Sequence, residues 1–337
     1  MGSGWSMKVD IIIPVYKPDK TFFDLIEKLE KQTLPVHKII IMNTEEKYFK
    51  KLIYGKRFRE SYHNIEVYHL SKKEFDHGRT RNAGVKKSDA DIFVMMTQDA
   101  IPVDNELVEK LVRALQQGVA AAYARQLPKA DCGVIEGYTR SFNYPEQSMV
   151  KSEKDLEKLG IKTYFCSNVC CAYSREIFDK LGGFINHAIF NEDMIYAALA
   201  VKQGYKIAYV AEAQVLHSHN YSCGQQFHRN FDIGVSQADH PQVFGSVSSE
   251  GEGIRSVKAT ISHLKDLKKG KLIPKLILQS GCKYMGYLLG RHYKHLPKRL
   301  VLSCTMNRDY WNHEERRRDV AGIDAAKGYG RTEAEKK

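Results

Sequence analysis

The chain has 337 residues, 43% hydrophobic and 27% charged, which suits one large α/β domain with an appendage or two modest domains. The formal net charge of +12 invites a nucleic-acid partner, but twelve Lys/Arg against one acid, Asp266, lie between Arg255 and Arg299, leaving about +1 for the remainder. Charge confined to one segment argues against a nucleic-acid-binding body, seven cysteines without a Cys-x-x-Cys pair argue for core thiols in a reducing cytosol rather than zinc, and no apolar run reaches the roughly 18 residues of a spanning helix.

Residues 1–6 read as an expression scar. Val9–Val15 is an apolar, β-branched run containing Pro14 and predicts a buried parallel strand. Phe22, Leu25, Ile26 and Leu29 have helical spacing, so a helix is expected over Asp19–Gln32. Lys38–Met42 and Ile65–Leu70 predict two further strands, and Arg81–Lys87 a helix after a glycine-containing loop. Ile92–Met96 predicts a fourth strand that runs into Thr97-Gln98-Asp99, followed by a Pro102 turn and a helix to about Gln116. This alternation predicts a doubly wound parallel sheet, whose ligands sit at the carboxyl ends of strands, here Tyr16, Asn43 and Asp99. The stretch 117–190 is mixed, with a helix from about Ser174 to the Gly182-Gly183-Phe184 turn. A helix over Glu192–Gln203 and a strand over Ile207–Val210 follow. Beyond 255 the pattern is helical and basic, and 313–337 reads as a polar, flexible tail.

Four short stretches carry candidate chemistry. Asp99 at a strand end suits a divalent cation on a diphosphate, or a plain turn. Glu192-Asp193 suits a general base for an acceptor hydroxyl, or acids complementing a helix dipole. His217-Ser218-His219 puts two imidazoles on one face for a metal or phosphate, or is a pair of structural histidines. His77-Gly78-Arg79-Thr80-Arg81-Asn82 suits a phosphate or nucleobase edge before a helix, or a solvated basic loop.

Taken in order, IIIPVY, RTRN, an acid after a mid-chain strand, Glu-Asp and a later His resemble family 2 glycosyltransferases of the GT-A fold over roughly residues 7–225. FDHGRTRN, MMTQDAIP, VLHSHNYS and the later YLLGRHYKHLP…YW are similar to bacterial polysaccharide rhamnosyltransferases. The resemblance implies a Rossmann-like, mainly parallel sheet with helices on both faces. It divides the chain into a nucleotide half (about 7–116), an acceptor half (about 117–240) and a basic helical region (241–312). It implies that Pro14, Tyr16, Asn43, Arg81 and Asp99 bind the nucleotide sugar and that Asp193 is the catalytic base. Asn168 and Glu192 would lie on the acceptor side, and Asp99 and His217 would hold Mg²⁺ or Mn²⁺. The reaction implied is inverting transfer of L-rhamnose from dTDP-β-L-rhamnose to a lipid-linked glycan. Two positions depart from the family pattern. Thr97 stands where the first metal-motif acid is usual, and Asn43 stands where an Asp usually holds the base. A UDP-hexose donor, an inactive scaffold in a polysaccharide assembly complex and a nucleic-acid-binding protein are the competing readings.

The +11 segment 255–299 also carries Leu272, Ile273, Leu276, Ile277 and Leu278, then Met285, Leu288 and Leu289. Lys275 and Lys283 interrupt these clusters, so a helix lying in the interface of an anionic membrane, broken near Pro274, is expected rather than a span. The protein is then cytoplasmic and peripheral to the inner membrane face. The alternative is an apolar face packed on the catalytic domain under a solvated charge.

Overall fold

The computed structural model describes residues 7–55, 58–245 and 250–312; the expected scar and the tail from 313 lie outside the described residues. Nine strands form one sheet: β1 (Val9–Tyr16), β2 (Lys38–Thr44), β3 (Ile65–Leu70), β4 (Ile92–Met96), β5 (Ile101–Pro102), β6 (Val119–Leu127), β7 (Met149–Lys151), β8 (Cys170–Ser174) and β9 (Lys206–Leu216). Their order is β3-β2-β1-β4-β8-β6-β9-β5, with β7 also on β9. β1 to β4 run parallel. β8 lies antiparallel between β4 and β6 and ties this half to the parallel pair β6–β9.

The apolar runs form central strands because both faces of the sheet are covered. Alternate β1 side chains point to opposite faces: Ile11 and Ile13 join a core with Phe22, Leu25 and Leu111, whereas Ile12 joins Phe93, Tyr173, Phe178 and Tyr196. Pro14 is tolerated inside β1 because pairing with β4 ends at Ile12↔Met95, leaving only β2 alongside.

Two expectations shift. The helix expected from Arg81 spans His77–Val85, because the Asp76 carboxylate caps it, accepting hydrogen bonds from the Gly78 and Arg79 amides at 3.0 and 2.9 Å. The Arg-Thr-Arg-Asn stretch therefore lies inside the helix, and the helix N-terminus is held by a protein carboxylate instead of standing open to a phosphate. The mixed region yields β6, β7, β8 and the helix Val134–Asn143. Strand β9 also runs past Val210: its register against β6 jumps from Ala124↔Val210 to Arg125↔Gln214, and the chain continues to Leu216.

Three helices of the basic region, Glu250–Asp266, Ile273–Arg291 and Lys298–Cys304, follow the helix Cys223–Asp239. Pro274 stands in the first turn of its helix, where a missing N–H costs nothing, so the break falls before it. Cys223–Asp239 and Ile273–Arg291 pack backbone to backbone. A Cβ on Gly286 would stand 2.2 Å from the Phe227 carbonyl oxygen, and one on Gly290 2.1 Å from that of Phe231. Ile189, Phe231, Val235, Tyr293 and Val301 form a third core there. Among the described residues, no helix is long and apolar enough to cross a membrane.

Candidate active site

The carboxyl ends of β4, β6 and β9, the start of the helix Glu192–Lys202 and the helix Cys223–Asp239 enclose a cavity of about 460 Å³. Six of the expected residues line it: Arg81, Asp99, Asn168, Glu192, Asp193 and His217. Pro14, Tyr16 and Asn43 do not. They lie at the ends of β1 and β2, where Val15 pairs with Asn43 and Tyr16 with Thr44. Gln98 bridges the two places, accepting from the Tyr16 amide at 2.8 Å and donating to its carbonyl at 3.0 Å.

The carboxylate pair is set by backbone conformation. The chain enters the helix through Asn191 at φ 64°, the left-handed region that Asn tolerates better than most side chains. Glu192 and Asp193 then point at Asn168. The Asn168 amide N–H donates to Asp193 Oδ2 at 2.9 Å and its side-chain Nδ2 donates to Glu192 Oε1 at 3.0 Å. Tyr173 fixes Asn168 in turn, donating to its Oδ1 at 2.7 Å. Arg81 is buried against Glu192, 3.2 Å away, and also donates to the His77 carbonyl. The Arg81 guanidinium is paired with Glu192 and keeps its Nε without a hydrogen-bond partner, and Asn168 holds both carboxylates on the cavity wall. The Gly182-Gly183-Phe184 turn clasps Asn82, whose amide bonds both backbone groups of Phe184.

The two acids have opposite electrostatics. Burial would raise Glu192, but Arg81 and His77 outweigh it and hold Glu192 below the usual carboxylate range. Burial and the adjacent Glu192 charge push Asp193 up to about 7, against the hydrogen bonds from the Asn168 and Met194 amides. Paired acids driven apart in this way leave one permanently ionised and the other poised to take a proton near neutrality.

On the opposite wall, Asp99 Oδ2 lies 3.1 Å from His219 Nε2 and 3.5 Å from His217 Nε2, and the two ring nitrogens are 3.1 Å apart. Burial works to raise the Asp99 pKa, but the two histidines outweigh it and hold the carboxyl below its usual range. His217 Nδ1 faces Gln126 Oε1 at 2.9 Å. Gln126 is itself oriented, donating to Tyr144 and Ser167 and accepting from Arg140. With its proton on Nδ1, His217 turns a lone pair toward Asp99 and His219. Donor atoms about 2.1 Å from a shared cation stand about 3.0 Å apart at right angles, so this triangle fits a divalent ion. Sequence reasoning left His219 undecided and missed Gln126 and Arg140, which announce themselves only through what they touch.

At the nucleotide edge, Tyr16 is half exposed and packs edge-on against Tyr48 at 5.7 Å. Asn43 is fully buried, with its Nδ2 2.8 Å from His69 Nδ1. Its Oδ1 has no hydrogen-bond partner, an acceptor left over where burial normally demands one.

Fold and site together define an enzyme of the class that transfers sugars from activated donors at the carboxyl edge of an α/β sheet. Residues 10–182 match the model described as Glycosyl transferase family 2. The O-antigen chain rhamnosyltransferase RfbN of Salmonella typhimurium is 39% identical over 313 residues, covering 91% of this chain and 97% of that protein. The O-antigen chain rhamnosyltransferase WbaN of Salmonella anatum is 37% identical over 310 residues, covering 90% and 95%. Among solved structures, the mannosyltransferase PcManGT from Pyrobaculum calidifontis, in complex with GDP-Man and Mn²⁺, aligns with a TM-score of 0.53 at 12% identity, over 97% of this chain and 89% of that one. The chain belongs to glycosyl transferase family 2, with the GT-A fold, and is a hexosyltransferase-type glycosyltransferase.

Proposed function

We propose that the protein transfers L-rhamnose from dTDP-β-L-rhamnose to a lipid-linked glycan, with inversion and with Mg²⁺ or Mn²⁺. The observation that carries the mechanism is the Asp193 carboxylate on the cavity wall, held at 2.9 Å by the Asn168 amide beside a Glu192 ion-paired with Arg81 at 3.2 Å. Asp193 takes the proton of an acceptor hydroxyl. The hydroxyl oxygen bonds to the anomeric carbon from the face opposite the leaving group, and the bond from that carbon to the diphosphate oxygen breaks. dTDP leaves with the electron pair, and a β-L donor yields an α-L-rhamnoside. Asn168, Arg81 and Glu192 hold the base in place and set its protonation. Asp99, His217 and His219 would hold the cation, which when bound neutralises charge on the departing diphosphate. Tyr16 and Pro14 flank the base, and Asn43, swinging from His69, gives its free carbonyl to the imide N–H.

Relatives named as rhamnosyltransferases at 39% and 37% identity support a rhamnose donor. Incubation of the purified protein with a panel of donors should release dTDP from dTDP-β-L-rhamnose faster than UDP from UDP-glucose or UDP-N-acetylglucosamine. Turnover of a UDP-hexose alone would refute the donor.

We further propose the division into nucleotide half, acceptor half and basic helical region, joined by the helix Cys223–Asp239, and a cytoplasmic location beside an anionic membrane. The glycine face of Ile273–Arg291 packs inward, and its opposite face leaves Ile277, Leu278, Tyr284 and Met285 more than half exposed. Exposed apolar side chains within a +11 segment suit an interface in which each cation contributes about 1 kcal/mol. The protein should co-sediment with anionic but not neutral liposomes, less so as salt rises. Binding that ignores lipid charge, or that survives reversal of Lys265, Lys268, Lys269 and Lys271 to Glu, would contradict this.

A further inference from the structure

A second cavity, of about 810 Å³, lies between the helices Val134–Asn143, Cys223–Asp239, Glu250–Asp266 and Ile273–Arg291. Its walls are largely apolar: Ile233, Ile254, Val257, Leu276 and Tyr287. At one end it meets the catalytic cavity, with which it shares Thr139, Asn230, Ile233 and Lys283. At the other it reaches Ile254 and Tyr284, which are 59% and 53% exposed, Tyr284 belonging to the apolar outer face of its helix. A ring stack of Tyr138 on His263, 4.1 Å between centroids, and an ion pair of Lys162 with Glu252 at 2.7 Å seat the helix Glu250–Asp266 over this space.

The junction is cationic. Arg140 is neutralised by Glu136 at 2.8 Å. Neither Lys283 nor Arg229 has a carboxylate within 4 Å among the described residues, although Glu136 acts on Lys283 and Asp232 on Arg229 from farther off; Arg229 lies over the Phe190 ring at 4.5 Å. A part-buried cation whose nearest carboxylates stand off is stabilised by an anion placed beside it. The groove thus joins an apolar channel open to the outer apolar face to a cavity lined by Lys283, Arg229 and Asp193.

We propose that this groove binds a phosphate-linked lipid acceptor, with its apolar chain between the four helices, its phosphate at Lys283 and Arg229, and its sugar hydroxyl at Asp193. This rests on the catalytic reading above and adds the acceptor's place to it. Because Lys283 and Asp193 line one cavity, the attacking hydroxyl belongs to a sugar close to the phosphate, not to the far end of a long glycan.

Farnesyl diphosphate, which carries the diphosphate and chain without a sugar, is the probe. Calorimetry on the full chain should give binding roughly tenfold or more tighter than for inorganic pyrophosphate or farnesol, since each of those has only one of the two elements. Lys283→Met should weaken farnesyl diphosphate by a similar factor. Val257→Trp, which fills the channel away from the catalytic cavity, should do the same while dTDP-rhamnose still shifts the melting temperature as in the parent. If that donor shift is lost because Val257→Trp does not fold, Ser280→Phe obstructs the other wall. Equal affinity for pyrophosphate and farnesyl diphosphate, equal affinity for farnesol, or tight farnesyl diphosphate binding that survives both channel variants would overturn the proposal. A parent protein that turns over dTDP-rhamnose yet ignores farnesyl diphosphate refutes the groove alone. One that binds farnesyl diphosphate but turns over no dTDP-rhamnose refutes the donor reading instead.

Discussion

Asp193→Asn should lower turnover by roughly a hundred- to ten-thousand-fold, the range for losing acid–base catalysis, while donor affinity is unchanged. The substitution keeps the shape and one oxygen, so Asn168 can still donate its amide hydrogen bond, but an amide cannot accept the hydroxyl proton. The same assignment fixes the pH dependence. The base works deprotonated and burial with the Glu192 charge raises it to about 7, so activity should fall as pH drops through about 7. Glu192→Gln removes the like charge and leaves Arg81 uncompensated. Both changes favour the ionised form of Asp193, so the acid limb of the profile should move to lower pH. Turnover near the parent value in Asp193→Asn, or an acid limb that moves upward in Glu192→Gln, would remove Asp193 from this role.

The second large effect is expected at the opposite wall. Asp99→Ala should abolish metal-dependent donor binding, and EDTA should reproduce that loss in the parent. The carboxylate is the only anionic member of the triangle it forms with His217 and His219, and two neutral imidazoles hold a divalent ion poorly against a competing chelator. His219→Ala should weaken the donor less, since Asp99 and His217 remain. Calorimetry of dTDP-rhamnose with Mn²⁺, and again with EDTA, reads all three. Equal donor affinity under both conditions would exclude a metal at this place.

Most of the nucleotide half was legible because its physics is local. β1, β2 and β4 are centred on apolar runs buried on both faces, and the helix between β1 and β2 shows its apolar stripe at Phe22, Leu25, Ile26 and Leu29. Strand-end logic then brought out Asp99. The middle was illegible for an equally local reason. β6 is built on four alanines and β8 reads CCAYS, so neither carries the β-branched signal of a strand. Both gain their conformation from neighbours far along the chain. The helix start at His77 is illegible in the sequence because a lone Asp76 serves a loop as well as a cap; only the fold shows its carboxylate accepting from two amides.

Roles behaved like elements. Asp193 and His217 were readable as chemistry-bearing residue types in a recurring order. Arg81 was readable as a guanidinium but not as the partner of Glu192, a contact between residues 111 positions apart. His219 stands 3.1 Å from Asp99 and in the proposed cation site takes the place of the acid that Thr97 does not supply, and no spacing rule on either side of residue 97 foretells that contact. Gln126, at the end of an alanine-rich strand, meets His217 Nδ1 at 2.9 Å from 91 residues away.

The stereochemistry of the product tests the central claim most directly. NMR of the rhamnoside formed from dTDP-β-L-rhamnose should show an α-L anomeric centre, the outcome of one in-line displacement assisted by Asp193. A β-L product would require retention and would contradict the account.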